Sequence, residues 1–119
     1  MISKEQTLSH LRKGLAQLDI ELPSPAICEQ LYQYFAELLK WSPKVNLVAK
    51  GPELELLETH FIDSLTLVPI LKKYLHDDNS HNLLDIGSGA GFPGLVLKIT
   101  FPDLPVTLVE PRQKRTVFL

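Results

Sequence analysis

The chain is short of several things that often betray a function. Its 119 residues include one cysteine, Cys28. No internal disulfide can form, which favours a reducing compartment. Neither sign of charge dominates: the formal net charge is -2 and the pI is near 6.0. A free-standing nucleic-acid binder is usually basic, so any contact with nucleic acid has to come from a local patch. No apolar run approaches the roughly 20 residues that cross a bilayer. The opening MISKEQTLSH is polar and carries no signal core. His10, His76 and His81 are scattered without metal-ligand spacing. These absences lead us to expect a cytoplasmic protein with no membrane partner and no metal.

What is present is ordinary globular composition, 45% hydrophobic and 22% charged, enough for one small domain with a core. Ser3 followed by Gln6 reads as a capping box. Leu8, Leu11, Leu15 and Leu18 then recur at helical spacing, predicting a helix over 4–18. Ser24 before Pro25 caps a second helix marked by Ile27, Leu31, Phe35 and Leu38, expected to end before Pro43. Cys28 falls inside that pattern and is expected to pack there. KVNLVAK (44–50) is a connector. Gly51-Pro52 opens a helix through Phe61, and 64–75 forms another, kinked or divided near Pro69. The polar HDDNSHN (76–82) marks the clearest boundary, dividing a helical region (1–81) from a C-terminal region (82–119) of different character.

In that C-terminal region, LLDI (83–86) is a short strand, Pro93 to Phe101 is helical, VTLVE (106–110) is a second strand, and a helix begins at Pro111. Strand, glycine turn, helix, strand is a βαβ unit, which implies parallel strands. Two such strands leave sheet faces and an edge uncovered. The chain therefore reads as part of a larger α/β domain.

The turn between strand and helix holds Gly87, Ser88, Gly89, Ala90, Gly91, Phe92, Pro93 and Gly94. Glycines there let backbone approach a ligand closely, and a strand-to-helix loop is expected to aim free N–H groups at it. Gly89 to Gly94 fits G-x-G-x-x-G, the dinucleotide pattern. A G-x-G-x-G from Gly87, preceded by Asp85, fits as well. A pyrophosphate near the strand end would meet Asp85 as a like charge. A ligand bearing an ammonium or sulfonium would be welcomed by it, and S-adenosylmethionine carries both. Glu110 ends the second strand about twenty residues after Gly89, where a carboxylate accepts from ribose hydroxyls. Either cofactor needs that.

"LLDIGSGAGFPGLVLKI" followed by "VTLVEPRQKRTVFL" resembles the methyltransferase G (RsmG, also called GidB) family. "KWSPKVNLV" (40–48) and "HFIDSL" (60–65) resemble further segments of that family, in order. Val48-Ala49 departs from it where threonine commonly follows Asn-Leu. The resemblance implies an α/β, Rossmann-like S-adenosylmethionine-dependent methyltransferase fold, truncated after its second strand and preceded by a helical region. It implies methylation of guanine N7 in 16S ribosomal RNA, with the small ribosomal subunit as partner. Gly87 and Phe92 carry over as cofactor contacts, Gly89 and Gly91 as loop formers, and Glu110 as ribose acceptor. Asp85 and Ser88 complete the expected cofactor set. The 119-residue chain alone is expected to bind cofactor poorly, and to be monomeric.

Guanine N7 offers an in-plane lone pair and no proton, so methyl transfer there needs alignment and exclusion of water more than a general base. No catalytic residue is assigned. Arg112, Lys114 and Arg115, with Lys40 and Lys44, are candidates for RNA phosphate contacts, the alternative being a solvated face. Trp41 reads as core rather than as a base-stacking platform. His60 and Asp63, at i and i+3, read as a cap or hydrogen bond tying the helices to the sheet, or else as shaping the mouth of the cofactor site. Asp63-Ser64 is also read as a cap for the next helix. Two other functions stay open: a nicotinamide-dependent oxidoreductase using Gly89 to Gly94, and a non-catalytic RNA-binding fragment.

Overall fold

A computed structural model describes residues 2–22, 24–48, 51–75 and 81–119. Part of the connector (49–50) and most of the polar boundary (76–80, with His76) lie outside the described residues.

Helix α1 (Lys4–Gln17) begins as the capping box predicts: the Ser3 hydroxyl accepts from the Gln6 amide while the Gln6 side chain accepts from the Ser3 amide. Leu11 and Leu15 are buried and Leu8 packs at their margin. Leu18, expected to share the stripe, is exposed. The helix stops at Gln17 because Asp19 turns into the left-handed region (φ 54°), which swings Ile20 into the core instead.

Helix α2 (Ala26–Val45) buries all four expected apolar residues, together with Cys28 and Tyr34. The Ser24 hydroxyl accepts from the Ala26 amide at its start. The expected end before Pro43 is incorrect. Proline removes one N–H, but so near the terminus only one backbone bond is forgone, and the helix closes on Asn46 in the left-handed region.

The next stretch is helical without interruption: α3 (Glu53–Leu56), π-helical turns (Leu57–Ile62) and α4 (Asp63–Leu65). The predicted gap between Phe61 and Ser64 is absent. Asp63 and Ser64 cap nothing, since Asp63 is itself helical and the Ser64 hydroxyl donates back to the His60 carbonyl. The wide π turn places Leu57 and Phe61 in the core and leaves His60 at its edge. The chain does divide beside Pro69, at a turn before α5 (Val68–Leu75).

Strands β1 (Leu83–Ile86) and β2 (Val106–Val109) pair in parallel, Leu83 opposite Val106 and Ile86 opposite Val109. Helix α6 (Gly94–Thr100) crosses between them, and α7 (Gln113–Phe118) comes after β2. The expected βαβ unit is present, in a mixed structure of helices with a two-stranded parallel sheet. Alternation along the strands turns Leu83, Asp85, Val106 and Leu108 inward. Leu84, Ile86 and Val109 lie on the bare opposite face, Ile86 being 75% exposed. One apolar cluster joins α1, α2, the π turns, the glycine loop and α6.

Candidate functional site

The loop from Gly87 to Pro93 leaves β1 and enters α6. Its glycines serve different neighbours. A Cβ on Gly94 would sit 2.5 Å from Leu108 Cδ2 and 2.8 Å from Asp85 Oδ2, so bareness there lets α6 press on the sheet. A Cβ on Gly91 would sit 2.6 Å from Tyr34 Oη, with φ at +110°. Gly87 (φ +75°) faces open space, and Gly89 (φ +57°) has only an Arg115 nitrogen at 3.7 Å. At Gly87 and Gly89, unlike Gly91 and Gly94, no neighbour presses on the position a side chain would take.

The expectation of free amides aimed at a ligand fails for most of the loop. The Gly87 and Ser88 amides donate to the Val109 carbonyl, those of Gly91 and Phe92 to the Ser88 carbonyl, and Leu95 to Gly91. The Gly94 amide donates to Asp85 Oδ2 at 3.0 Å. Asp85 thus caps α6 from within β1, a job for a carboxylate at a helix start whether or not a ligand is present.

Glu110, one residue beyond β2, reaches across to the loop. Its Oε2 accepts from the Gly89 amide at 2.9 Å, and its Oε1 accepts from the Arg112 amide at 3.2 Å. Its side chain is 4% exposed, with an Arg115 guanidinium nitrogen 4.0 Å away. Beside it, Ser88 is 3% exposed and its hydroxyl has no hydrogen-bond partner among the described residues. An unpartnered buried hydroxyl is costly unless something else satisfies it.

Phe92, expected to touch cofactor, is already engaged. Tyr34 stacks against it (5.4 Å between centroids, 19° between planes), as does His60 (4.9 Å, 24°), and Phe61 meets it edge-on. His60 therefore reaches the loop by ring contact, while Asp63 stays exposed. Burial holds His60 below the usual imidazole range, with the Asp63 charge opposing. A lowered folded-state pKa means that the unfolded chain binds the extra proton. Between the folded value and about 6.5 stability then rises with pH, and it is lost as pH falls through that window. We expect His60→Gln to flatten the rise of melting temperature with pH between pH 5 and pH 7 relative to the parent.

Of the basic candidates, Arg112 and Lys114 are exposed on α7 or at its start, whereas Arg115 is only 23% exposed and leans on Glu110. Arg112, Lys114 and Arg115 line one hollow of about 430 Å³ with Val45 and Asn46. The exposed Lys44 precedes these two at the end of α2, so the predicted stretches do meet; Lys40 lies a turn further back. Trp41 packs edge-on against Phe118. Among the described residues no group of three or more His, Cys, Asp or Glu is placed to hold a metal, and no helix is long and apolar enough to cross a membrane.

Sequence reasoning missed Tyr34. It lies on the same helical stripe as Leu31, Phe35 and Leu38, which signals its burial but not its hydroxyl contact with Ala90.

Fold and site together define an α/β protein built on a βαβ unit, with a glycine-rich strand-to-helix loop closed by an acid at the end of the second strand. Residues 27–119 match the family model described as GidB, rRNA small subunit methyltransferase G, and the chain belongs to that family. It is 52% identical over 112 residues to the ribosomal RNA small subunit methyltransferase G of Desulfotalea psychrophila, covering 93% of this chain and 48% of that protein. Against the protein of the same name from Chromobacterium violaceum the identity is 41% over 111 residues, covering 93% and 50%. Against that from Polaromonas naphthalenivorans it is 39% over 123 residues, covering 100% and 55%. The chain spans about half the length of these curated relatives.

Proposed function

We propose that this chain supplies the cofactor-loop half of an S-adenosylmethionine-dependent methyltransferase of Rossmann-like fold, acting on guanine N7 of 16S ribosomal RNA in the cytoplasm, as a monomer. In this reading residues 1–81 form a helical region that braces the loop, and 82–119 begin the methyltransferase core. Family membership supports the chemistry. The observation that carries the cofactor assignment is the accounting of the loop amides.

A dinucleotide needs amides free for its pyrophosphate at the helix start. Here the Gly91, Phe92 and Gly94 amides all point into the chain. What remains is Gly87 facing open space, Gly89 with only an Arg115 nitrogen near it, the Ala90 amide and the Ser88 hydroxyl without partners among the described residues, and the Glu110 carboxylate just beyond β2, held by the Gly89 and Arg112 amides. Those groups fit a nucleoside with ribose hydroxyls and no phosphate. Glu110 would accept from the ribose, exchanging its bond to Gly89, and Ser88 would gain its missing partner.

When bound, S-adenosylmethionine supplies an electrophilic methyl on sulfur. The chain's own residues have no proton to move, because guanine N7 attacks through a lone pair. Their work is to orient the cofactor and exclude water. The basic hollow of Arg112 and Lys114, near Lys44, lies one step along the chain from Glu110 and suits an RNA phosphate. A phosphate held there would bring RNA backbone next to the methyl carrier.

S-adenosylhomocysteine is expected to raise the melting temperature at millimolar concentration, and NAD is not. Stabilisation by NAD alone would favour the oxidoreductase. For the RNA contact, Arg112→Gln with Lys114→Gln is expected to lower the slope of log K against log salt by about 2, measured with a small-subunit rRNA fragment. A slope unchanged by both substitutions would remove this face from the RNA interface. Salt-sensitive RNA binding with no response to either cofactor would favour the non-catalytic reading.

A further inference from the structure

The glycine loop takes its shape from residues outside the βαβ unit. Tyr34, on α2, donates its hydroxyl hydrogen to the Ala90 carbonyl. The Gly91 amide, on the same peptide plane, donates to the Ser88 carbonyl at 2.8 Å. That plane is therefore held at both ends. Tyr34 Oη also fills the space a Cβ at position 91 would need. Burial, with the Asp85 charge adding to it, pushes the Tyr34 hydroxyl well above the ordinary tyrosine range, so it stays a donor at any working pH. His60, carried by the π-helical turns, covers Phe92 with its ring at the next position of the loop. A π turn re-aims the side chains it carries relative to an α-helix, and such turns recur at functional sites.

We propose that Tyr34 and His60 are positioning residues for the cofactor loop, fixing the Ala90–Gly91 peptide and the Phe92 ring so that Gly87 and Gly89 present their open face to the ligand. The inference rests on the cofactor reading and extends it to two side chains from the helical region. Neither needs to touch the ligand. Tyr34 acts through one carbonyl, and His60 acts through one ring. The helical region then does more than cover the sheet, because it sets the affinity of a site built from the other part of the chain.

The test uses the full 119-residue chain with Tyr34→Phe, His60→Ala and His60→Phe. S-adenosylhomocysteine is titrated and followed by amide chemical shifts, with hydrogen exchange and melting temperature measured alongside. Tyr34→Phe is expected to weaken the ligand about fivefold, the worth of one neutral hydrogen bond. It is also expected to speed exchange of the Gly91 and Phe92 amides. His60→Ala is expected to weaken the ligand by about threefold to tenfold, and His60→Phe, which keeps a ring on Phe92, to restore affinity to within about twofold. Should Tyr34→Phe fail to fold, the His60 pair carries the comparison. Unchanged affinity in the folded variants, with only the melting temperature lowered, would reduce both contacts to packing and overturn the inference while leaving the cofactor reading intact. A parent chain that takes no S-adenosylhomocysteine even at millimolar concentration would overturn that reading, and the positioning role with it.

Discussion

Replacing Gly91 by alanine is expected to lower the melting temperature by roughly 10–20 °C, among the largest losses from any single methyl added to this chain. Two costs combine. The residue sits at φ +110°, where an L side chain is strained by about 1–3 kcal/mol. The new Cβ would also lie 2.6 Å from Tyr34 Oη and 3.0 Å from both Leu95 Cβ and Leu119 Cδ2. Overpacking of that kind costs about 1–3 kcal/mol. Part of the clash is with a single hydroxyl oxygen, which gives an internal control. In a Tyr34→Phe background the same substitution is expected to cost about 1 kcal/mol less than in the parent, read as the interaction energy of a double-mutant cycle. Gly51, whose Cβ would meet nothing within 4 Å, is the outer control, with a change inside about 0.5 kcal/mol. Equal losses at Gly91 and Gly51 would mean that Tyr34 does not approach the loop as described.

The second large effect is at Glu110. Glu110→Ala is expected to destabilise the chain by about 2–3 kcal/mol in thermal or urea unfolding, because a charged acceptor of two backbone amides is removed. Arg115, mostly buried beside it, also loses its nearby carboxylate. The same substitution is expected to weaken S-adenosylhomocysteine by about thirtyfold or more, since on the proposed reading the ribose acceptor goes with it. Glu110→Gln separates the two roles. It keeps an acceptor for the Gly89 amide and should recover much of the stability, but it offers the ribose a neutral partner and recovers less of the affinity. Glu110→Ala that melts early yet binds S-adenosylhomocysteine like the parent would confine Glu110 to holding the loop.

How far the sequence reaches depends on the range of each signal. The Ser3 and Gln6 box and the Ile27, Leu31, Phe35, Leu38 stripe are local, so α1 and α2 are legible at their starts and on their buried faces. The ends are less so. Asp19 and Asn46 stop their helices in left-handed conformations that compete weakly with the nearby prolines as visible signals. Pro43 misleads because its cost depends on its distance from the helix end. The π turns are invisible to a period of 3.6, and Asp63-Ser64 imitates a cap while lying inside a helix.

At the site, Asp85, Ser88, Glu110 and the glycines are legible as a constellation, because strand, loop and strand are adjacent in sequence. Their partners are not. The bond from Tyr34 to Ala90 spans 56 residues, and the bond from Gly94 to Asp85 decides whether that carboxylate faces a ligand or a helix. A motif states which residues converge. Only the fold states which of their hydrogen-bonding groups are already taken.

A crystal of the chain soaked with S-adenosylhomocysteine and NAD together tests the central claim most directly, that the loop's inward-turned amides select a phosphate-free nucleoside. The expected result is S-adenosylhomocysteine beside Gly87 and Gly89, with its ribose hydroxyls on the Glu110 carboxylate. Pyrophosphate oxygens seated on the amides of Ala90 to Phe92, with the Ser88 carbonyl released, would contradict it.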